Sequence, residues 1–339
     1  MPPPGEAPKP LRALVTGAAG FIGSHLCAHL LEQGDEVVGV DALTSTYPVA
    51  LKRLNLMAVQ GRAFSFRRAD LLTADLEGLL DGVDAVYHLA GEPGVRDSWG
   101  PRFDVYTARN VLATQHLLEA ARVRRPRVFV FASSSSVYGD AAHHPTSEST
   151  PPAPVSPYGV TKLAAEQLCE TYRRVFAVPT VSLRLFTVYG PRQRPDMAFA
   201  RLIAAAVEGT PFTLYGDGTQ SRDFTHVSDV VAAMRQAARS DFRGVANIGG
   251  GGRTTMAQAL RVVEEVTGPL PVRGEPARPG DARHTAADIR RAQEAFGYRP
   301  RVPLHVGLAD LAREATAGCR QNSPLSRRAI SSEAGRPRP

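Results

Sequence analysis

The segment "LRALVTGAAGFIGSHLCAHLLEQ", residues 11–33, decides the fold of this chain. It begins with a short apolar run typical of a buried strand and continues with apolar residues at helical spacing, which stop at Gly34. Between the two parts, Gly17, Gly20 and Gly23 follow the spacing GxxGxxG. Such a turn needs glycine for its tightness, for the close approach of a pyrophosphate, and for packing of helix on strand. A glycine trio alone also occurs in ordinary turns, but the strand before it and the helix after it predict a dinucleotide-binding unit.

Outward from this segment, short β-branched runs alternate with longer helical patterns. Further strands are predicted at "EVVGVD" (36–41), "FSFRRAD" (64–70), "DAVYHLA" (84–90), "RVFVFASS" (127–134) and "TVSLRLF" (180–186). Helices are predicted at 20–33, 104–122, 157–176, 197–208, 228–239 and 255–267. Strands that alternate with helices indicate βαβ units and a parallel sheet with helices on both faces. We therefore predict an α/β fold, a Rossmann doubly wound parallel sheet with a smaller C-terminal substrate-binding domain.

Composition narrows the class of partner. The chain has 339 residues and a net charge of +7, of which the arginine-rich tail from residue 320 carries +4. The mild remaining excess suits an anionic small molecule, and no basic face with interleaved aromatics predicts nucleic-acid binding. No apolar run has the length that spans a bilayer, and "MPPPGEAPKP" at residues 1–10 lacks the apolar core of a signal peptide. With three scattered cysteines, the chain is predicted to be cytoplasmic, with no membrane contact.

Two carboxylates follow predicted strands near the glycine turn. Asp41 ends the second strand, where a carboxylate can accept from both ribose hydroxyls of adenosine and repels a 2′-phosphate. The next residue is Ala42 rather than arginine, so NAD is favoured over NADP as the cofactor. Asp70, at the end of the third strand, is a candidate contact to the adenine amino group, and a solvated turn aspartate is an equally good interpretation.

The stretch "SPYGVTK", residues 156–162, places Tyr158 and Lys162 one helical turn apart. A phenol has a reference pKa near 10, and a nearby ammonium stabilises its phenolate form, so this pair can act as a general base. Tyr/Lys pairs at this spacing are usually just surface features of a helix. Only three of the 40 basic residues are lysine, however, and together with the upstream glycine turn this favours a catalytic pair.

The motifs "TGAAGFIGSH", "HLAG", "ASSSSVYG", "SPYGVTK", "RLFTVYGP" and "YGDGTQSRDFTHVSD" together resemble the extended short-chain dehydrogenase/reductases that act on nucleotide sugars. The resemblance runs from Leu11 to Ala317. The segment 1–10 is predicted to be a disordered lead-in, and the resemblance implies an NAD-binding Rossmann domain at 11–186 with return segments near 223–250 and a mainly nucleotide-sugar-binding domain at 187–318. The basic segment 319–339 is predicted to be a disordered tail. The family is usually dimeric through two helices, here 104–122 and 157–176, so a homodimer is expected.

The resemblance also implies roles for individual residues. Tyr158 is the expected base, Lys162 its partner, and Ser134 the third catalytic hydroxyl. The expected cofactor site contains Gly17, Gly20, Phe21, Ile22, Gly23, Asp41, Asp70, Leu71, Leu89, Ala90, Asn110, Tyr158 and Lys162. The expected substrate site contains Ser134, Ser135, Ser136, Thr187, Arg194, Arg222, Arg278 and Asp281. Among these, Arg222 matches an arginine that clamps the diphosphate, and Arg278 and Asp281 match residues near the phosphate and the uridine ribose. Taken singly, each of these arginines could equally be a surface charge.

The residues after Ser134 distinguish between the reactions of the group, which all begin with oxidation at carbon 4 of the sugar. The related 4,6-dehydratases carry adjacent Asp and Glu there, and the decarboxylases usually carry Glu at the second place. This chain has Ser135 and Ser136, so the expected reaction is 4-epimerisation of a UDP-sugar through a 4-keto intermediate, without net redox change. A UDP-glucuronate decarboxylase remains an alternative.

The motif "TVYGPRQRPDMAF", residues 187–199, resembles UDP-glucuronate 4-epimerases most closely. UDP-glucose 4-epimerases place Asn where this chain has Thr187, and Arg194 could hold a sugar carboxylate together with the hydroxyls of Thr187, Ser135 and Ser136. UDP-glucuronate is therefore the expected substrate, and a UDP-glucose 4-epimerase is the alternative. One departure from the family pattern is Glu92, an acidic residue in the loop after the fourth strand, where an anionic substrate would pass.

Two other functions have less support in the sequence. His25 and His29 lie one turn apart, and histidines recur at 143–144, but no third ligand is evident, so no metal site is predicted. A non-enzymatic NAD-sensing protein of the same fold would have no reason to keep Ser134, Tyr158 and Lys162.

Overall fold

The structure is a computed structural model that describes residues 9–59, 61–276 and 282–321. The described chain divides into two compact units. Unit 1 holds the described residues of 1–188, 221–254 and 278–301, and unit 2 holds those of 189–220, 255–277 and 302–339.

The elements are numbered in chain order. The strands are β1 Arg12–Thr16, β2 Glu36–Asp41, β3 Phe64–Arg68, β4 Ala85–His88, β5 Val128–Ser134, β6 Thr180–Leu185, β7 Val188–Tyr189, β8 Phe212–Tyr215, β9 Ser221–Arg222, β10 Thr225–His226, β11 Gly244–Ile248, β12 Thr254–Thr255 and β13 Val272–Glu275. The α-helices are α1 Phe21–Glu32, α2 Val49–Met57, α3 Leu76–Leu79, α4 Phe103–Tyr106, α5 Ala113–Arg124, α6 Pro157–Phe176, α7 Ala198–Glu208, α8 Val227–Ala238, α9 Met256–Thr267, α10 Arg290–Phe296 and α11 Leu304–Gln321. Short 3₁₀ helices span Arg96–Ser98, Gly100–Arg102 and Ser135–Tyr138, and a π-helix spans Thr107–Leu112.

Unit 1 is built on a seven-stranded sheet in the order β11-β6-β5-β4-β1-β2-β3. Every adjacent pair of these strands is parallel. The chain order reverses between β1 and β4, so the turn after β1 lies between the loops that follow β2 and β4. Ligands of open parallel sheets bind at the carboxyl edge at such a switch point. The predicted Rossmann doubly wound fold is thus confirmed.

The core of unit 1 follows from burial of the sheet on both faces. β1, β4 and β5 are apolar over nearly their whole length, which is typical of parallel strands covered by helices on either side. Leu14 of β1 belongs to a cluster with Phe129 of β5, Leu117 of α5 and Ala165 of α6. Its neighbours Ala13 and Val15, which alternate to the opposite face, are also fully buried.

Unit 2 is smaller and has its own packing. Helices α7, α9 and α11 contact one another, and β8 pairs in parallel with β13. Phe199, Leu202 and Val263 are among its fully buried side chains. Nowhere in the described residues of either unit is there a helix long and apolar enough to cross a bilayer.

Several elements differ from the sequence prediction. The helix expected at 104–122 is three pieces, α4, the π-helix and α5, because the backbone hydrogen bonds change register over Thr107–Leu112. α2 was not predicted, since its apolar residues do not face the core and Leu54 and Met57 are exposed. Residues 282–301, expected with the substrate domain, belong to unit 1, where α10 packs on β11. α11 continues to Gln321, past the expected start of the tail at 319.

Candidate active site

The glycine turn connects β1 to α1 and packs against the loop after β4. Gly17 has φ of +73°, and a Cβ at this position would lie 2.9 Å from the backbone nitrogen of Ala90. A Cβ on Gly23, inside α1, would lie only 2.1 Å from the carbonyl oxygen of Gly17. Gly20 is the N-cap of α1 and brings no capping side chain. The first turn of α1 therefore faces the carboxyl edge of the sheet with its backbone N–H groups, the arrangement that binds phosphate.

Asp41 lies at the end of β2, beside this turn, and is 8% exposed. Its carboxylate accepts from the backbone N–H of Ala19 at 3.1 Å and of Leu43 at 2.7 Å. These bonds fix the carboxylate next to the glycine turn, where a ribose would lie. The glycine turn, the helix N-terminus and Asp41 together fit the pyrophosphate and the adenosine ribose of NAD.

Lys52 is a residue of this site that the sequence prediction missed. It comes from α2, its side chain is 7% exposed, and its Nζ lies 3.9 Å from Asp41 Oδ1. The ammonium also donates to Thr44 Oγ1 at 3.1 Å and lies 5.0 Å from the centroid of the Tyr47 ring. Lysine is rare in this chain, and this rarity supports a special role for Lys162. The same signal applies to Lys52 and was sufficient to predict a special role for it.

The other predicted cofactor residues have mixed environments. Asp70 is exposed and accepts from the Leu72 N–H at 3.0 Å, as a turn aspartate does. Leu71 and Phe21 are 6% exposed, and Leu71 packs in the hydrophobic core, whereas Ile22 is half-buried. Leu89 and Ala90 are half-buried, and their N–H groups donate to Thr16 Oγ1 at 3.2 Å. The loop after β4 is thereby tied to the end of β1.

Asn110 lies in the π-helix, and its side chain is occupied inside the protein. Its Oδ1 accepts from the Glu92 N–H at 2.7 Å, and its Nδ2 donates to the Glu92 carbonyl at 3.1 Å and to Thr161 Oγ1 at 3.0 Å. Both amide hydrogens are used by these bonds. Asn110 therefore holds the loop after β4 and helix α6 in register rather than presenting its side chain to a ligand.

His88 is buried at the end of β4 in a fixed, uncharged form. Burial, aided by the charge of Lys162, lowers the pKa of His88 to about 3. Thr114 Oγ1 donates to the Asn110 carbonyl at 2.6 Å, so it accepts from His88 Nε2 at 2.9 Å. Thr16 Oγ1 then donates to His88 Nδ1 at 2.8 Å. The ring thus links β1, β4 and α5 behind the turn.

The predicted catalytic residues come from β5 and α6. Ser134 ends β5, and its Oγ accepts from the Ser136 N–H at 3.1 Å, which leaves its hydroxyl hydrogen for another acceptor. Helix α6 begins at Pro157, with the Ser156 hydroxyl accepting from the Gly159 N–H as the N-cap. This start places Tyr158 in the first turn and Lys162 one turn later. The Lys162 Nζ lies 4.4 Å from the centroid of Phe131, which is on the same strand as Ser134.

Lys162 is a buried cation. It is 7% exposed, and burial lowers its pKa to about 8, although Cys169 and Glu166 act in the opposite direction. Glu166, one further turn along α6, accepts from Arg184 of β6 at 2.5 and 3.0 Å and from the Ser133 hydroxyl at 2.7 Å. This buried network fixes α6 against β5 and β6.

The predicted substrate residues of unit 1 lie at the carboxyl ends of its strands. Ser135 and Ser136 are half-buried in the 3₁₀ turn after β5, and Thr187 follows β6. Arg222 Nη1 donates to the carbonyls of Ser221 at 2.9 Å and Arg283 at 3.2 Å, which fixes the direction of its guanidinium. Arg278 and Asp281 lie outside the described residues.

Arg194 belongs to unit 2 and has a carboxylate partner. Its Nε and Nη2 donate to the Asp196 carboxylate at 3.0 and 2.7 Å, in a two-point ion pair. Arg194 is 17% exposed and Asp196 is 58% exposed. The sequence analysis expects a sugar carboxylate at Arg194. It does not anticipate the ion pair between Arg194 and Asp196.

Glu92 differs from the expectation that it would present negative charge to an anionic substrate. Its side chain is 1% exposed, and it accepts from Arg102 Nη2 at 2.9 Å and from Arg109 Nη1 at 2.6 Å. Two guanidinium groups thus neutralise the carboxylate inside the protein. Within the described ranges, no three or more His, Cys, Asp or Glu residues are grouped so that they could hold a metal ion.

Comparisons with known proteins agree with this arrangement. Residues 13–249 match the NAD dependent epimerase/dehydratase family. An uncharacterised UDP-glucose epimerase of Bacillus subtilis, YtcB, is 46% identical over 305 residues, which cover 88% of this chain and 96% of the relative. The structure of a UDP-glucuronic acid 4-epimerase from Bacillus cereus, solved with UDP-glucuronic acid and NAD, is 43% identical, covers 91% of this chain and 99% of that one, and superimposes with a TM-score of 0.88.

MoeE5, which has been solved with UDP-glucose and NAD and with UDP-glucuronic acid and NAD, is 44% identical with a TM-score of 0.82. It covers 91% of this chain and 99% of its own. The matched region contains the glycine turn, Asp41, Ser134, Tyr158 and Lys162. The chain therefore belongs to the NAD dependent epimerase/dehydratase family.

Proposed function

We propose that the protein is an NAD-dependent 4-epimerase of a UDP-sugar and that its sugar is glucuronate. The observation that carries the proposal is the placement of Lys162, a buried ammonium over the Phe131 ring of β5, one turn after Tyr158 and beside the strand that ends at Ser134. This arrangement supplies a base, its electrostatic partner and a hydroxyl from two packed elements.

The glycine turn and the N-terminus of α1 would hold the pyrophosphate of NAD, and Asp41 with Lys52 the adenosine ribose. When bound, NAD supplies an acceptor for the hydride of carbon 4 and a donor for its return. A redox group that is oxidised again in each cycle need not leave, so we expect the purified protein to retain it.

The side chains of this chain handle the proton. Tyr158, as the phenolate, accepts the proton of the 4-hydroxyl, and the Lys162 ammonium stabilises that phenolate. Ser134 donates its hydroxyl hydrogen to the sugar oxygen, because its own oxygen already accepts from the Ser136 N–H. Since lysine has three donors on a compact charge, Lys162 can also bond the nicotinamide ribose.

The residues after Ser134 support epimerisation over elimination or decarboxylation. A dehydratase needs an acid and a base at the sugar, and Ser135 and Ser136 are neither at neutral pH. A 4-keto sugar in this site therefore has no side chain at these places to remove its 6-hydroxyl. Return of the hydride to the other face is the remaining path to product.

Two features support glucuronate as the sugar. Hydroxyls at Ser135, Ser136 and Thr187 can donate to a carboxylate, and the Bacillus cereus relative was solved with UDP-glucuronic acid. A 4-keto glucuronate is a β-keto acid that loses CO₂ readily, so a substrate carboxylate held by these hydroxyls would be protected from that loss.

UDP-glucose is the second candidate, favoured by a specific observation. Asp196 already provides a carboxylate to the guanidinium of Arg194. With this ion pair intact, the Arg194 guanidinium does not require a carboxylate from the sugar. A relative of comparable identity, MoeE5, was solved with both UDP-glucose and UDP-glucuronic acid.

Incubation with UDP-glucuronate, UDP-glucose and UDP-galactose, followed by identification of the products, tests the proposal. Conversion of UDP-glucuronate to UDP-galacturonate with little UDP-pentose is the expected result. Faster interconversion of UDP-glucose and UDP-galactose would favour the second candidate, and absence of turnover on all three would favour an NAD-sensing protein.

A pair of variants examines Arg194 itself. Arg194→Ala should raise the KM for UDP-glucuronate about tenfold or more, the loss of one hydrogen bond to a charged group, and should release more CO₂ per turnover. Asp196→Asn removes the competing carboxylate and should lower that KM. Turnover of UDP-glucose is the matched control, since it lacks the carboxylate and should respond little to either change.

We also propose that the protein is a homodimer through α5 and α6 with the π-helix that precedes α5. Large apolar side chains are exposed on these elements, namely Leu112, Val123, Val160, Val175 and Phe176. The concentration of exposed apolar side chains on elements that pack together supports an interface here. Light scattering should give the dimer mass, and Val175→Glu should shift it towards the monomer. A wild-type protein that is monomeric at micromolar concentration would contradict the proposal.

A further inference from the structure

A chain of polar contacts runs from Asp41 to Glu92, two residues on opposite sides of the glycine turn. Lys52 Nζ donates to Thr44 Oγ1 at 3.1 Å, and the hydroxyls of Thr44 and Thr46 lie 3.3 Å apart. Thr46 Oγ1 lies 3.2 and 3.1 Å from the two carboxylate oxygens of Glu92. An ammonium only donates and a carboxylate only accepts, so Thr44 donates to Thr46 and Thr46 donates to Glu92. Hydrogen bonds aligned in one direction strengthen one another.

The Glu92 end of these contacts is buried and bonded on several sides. Arg102 and Arg109 hold its carboxylate, while the side-chain amide of Asn110 bonds both its N–H and its carbonyl. The Glu92 side chain is 1% exposed. Thr46 is exposed by contrast, so its hydroxyl ties the surface loop after β2 to a buried carboxylate.

The loop after β2 has a conformation that needs such an anchor. Leu43 has φ of +54°, a left-handed conformation that is unfavourable for a residue with a branched side chain. One bond to Asp41 and the contacts of Thr44 and Thr46 hold the loop in this form. Loss of the Thr46 contact would remove the tie between this loop and Glu92, while the bonds at Asp41 and Thr44 would remain.

The topology gives the tie a function. β1 lies between β4 and β2, so a bond between the loops after β2 and β4 joins the two sides of the turn after β1. We propose that Glu92 and Thr46 are positioning residues that strap the loop after β2 across the dinucleotide crevice and so slow the release of the dinucleotide. This inference rests on the proposed NAD-dependent function, and it gives Glu92 a role that no catalytic step requires.

The test is the dissociation rate of NADH from Thr46→Val, measured by the loss of its fluorescence signal during a chase with excess NAD. Valine keeps the shape of threonine at an exposed position and removes only the hydroxyl. We expect dissociation about fivefold faster than in the wild type, the factor for one hydrogen bond of ordinary strength. Thr46→Ser should restore the slow rate, and Ser45→Ala, next in the same loop and not part of the chain of contacts, should leave it unchanged.

Hydrogen exchange without any dinucleotide provides a second measurement. The amides of residues 43–47 should exchange faster in Thr46→Val than in the wild type, and those of α6 should not change. Equal NADH dissociation and equal exchange in Thr46→Val and wild type would overturn the strap and leave the proposed function intact. A wild-type protein that binds no NADH would instead overturn the proposed function, and the exchange experiment would still decide whether Thr46 holds the loop.

Discussion

Lys52 and Lys162, the two buried lysines described in unit 1, differ in the groups that surround the ammonium. Each ammonium lies over an aromatic ring, Lys52 at 5.0 Å from the centroid of Tyr47 and Lys162 at 4.4 Å from that of Phe131. Lys52 has the Asp41 carboxylate 3.9 Å away and donates to Thr44. The ammonium of Lys162 is instead desolvated next to Phe131, and its pKa is lowered to about 8.

The difference shows how one residue type serves two ends of a site. At the adenosine end the lysine is neutralised by a fixed carboxylate, so it acts as a structural charge. At the end where we propose catalysis, burial of the Lys162 ammonium is unfavourable, and the same exclusion of water would strengthen its effect on a Tyr158 phenolate. Substitutions at the two ends should therefore have different consequences.

The largest effect is expected at the phenol that Lys162 supports. Tyr158→Phe should lower kcat by about 10²–10⁴-fold, the usual contribution of a general base, while the affinity for NAD stays within about threefold. Tyr172→Phe is the matched control on the same helix, since it also loses one hydroxyl, which donates to Glu119. Near wild-type turnover by Tyr158→Phe would place the base elsewhere.

Exchanging each lysine for arginine compares the two ends directly. Lys162→Arg should lower kcat about 100-fold or more, because the wider guanidinium does not fit the closed space over Phe131 and delocalises its charge. Lys52→Arg should weaken NAD binding less than about tenfold, since a guanidinium can also pair with Asp41 and Thr44. Steady-state kinetics and NAD titration measure both variants. Equal losses in the two would show that the lysines are not used differently.

Removing the carboxylate at the adenosine end should change cofactor choice. Asp41→Ala should weaken NAD binding about tenfold or more, the loss of a charge-assisted bond to the ribose. It also leaves the Lys52 ammonium without its carboxylate, so NADP should become relatively more favourable than in the wild type. Calorimetric titration with both dinucleotides gives the ratio of the affinities. An unchanged ratio would mean that Asp41 does not select between them.

Local sequence signals were sufficient for the elements that frame the site. β2 and α6 lie at the residues predicted, because "EVVGVD" is a β-branched run and α6 begins with Ser156 as N-cap and Pro157 in its first turn. The glycine spacing and the Tyr/Lys pair carry their chemistry within a few residues of sequence. Such signals need no knowledge of distant partners.

The features that the sequence did not reveal depend on side-chain pairing and backbone register, which no local pattern encodes. From the sequence, Glu92 is expected to present a negative charge near an anionic substrate. Arg102 and Arg109, which neutralise it, lie 10 and 17 residues further along the chain, and no local pattern shows that they contact it. The register shift of the π-helix leaves no mark in the composition of Thr107–Leu112. Asp196 lies only two residues after Arg194, yet the sequence could not show that their side chains pair rather than point apart.

The smallest effect concerns stability without dinucleotide, and here the two lysines should have opposite signs. The folded pKa of Lys162, about 8, is below the unfolded value near 10.5, so at pH 7 its charge opposes folding. Lys162→Met should therefore stabilise the protein by about 1 kcal/mol below pH 8, and this gain should vanish by about pH 10.5, because wild-type stability rises over the pH range in which the folded protein has lost the Lys162 proton and the unfolded chain still holds it. Lys52→Met should destabilise at pH 7, because it leaves Asp41 buried without its cation. Calorimetric Tm values between pH 7 and 10.5 measure both, and a lower Tm for Lys162→Met at pH 7 would show that the contacts of Lys162 outweigh the cost of its burial.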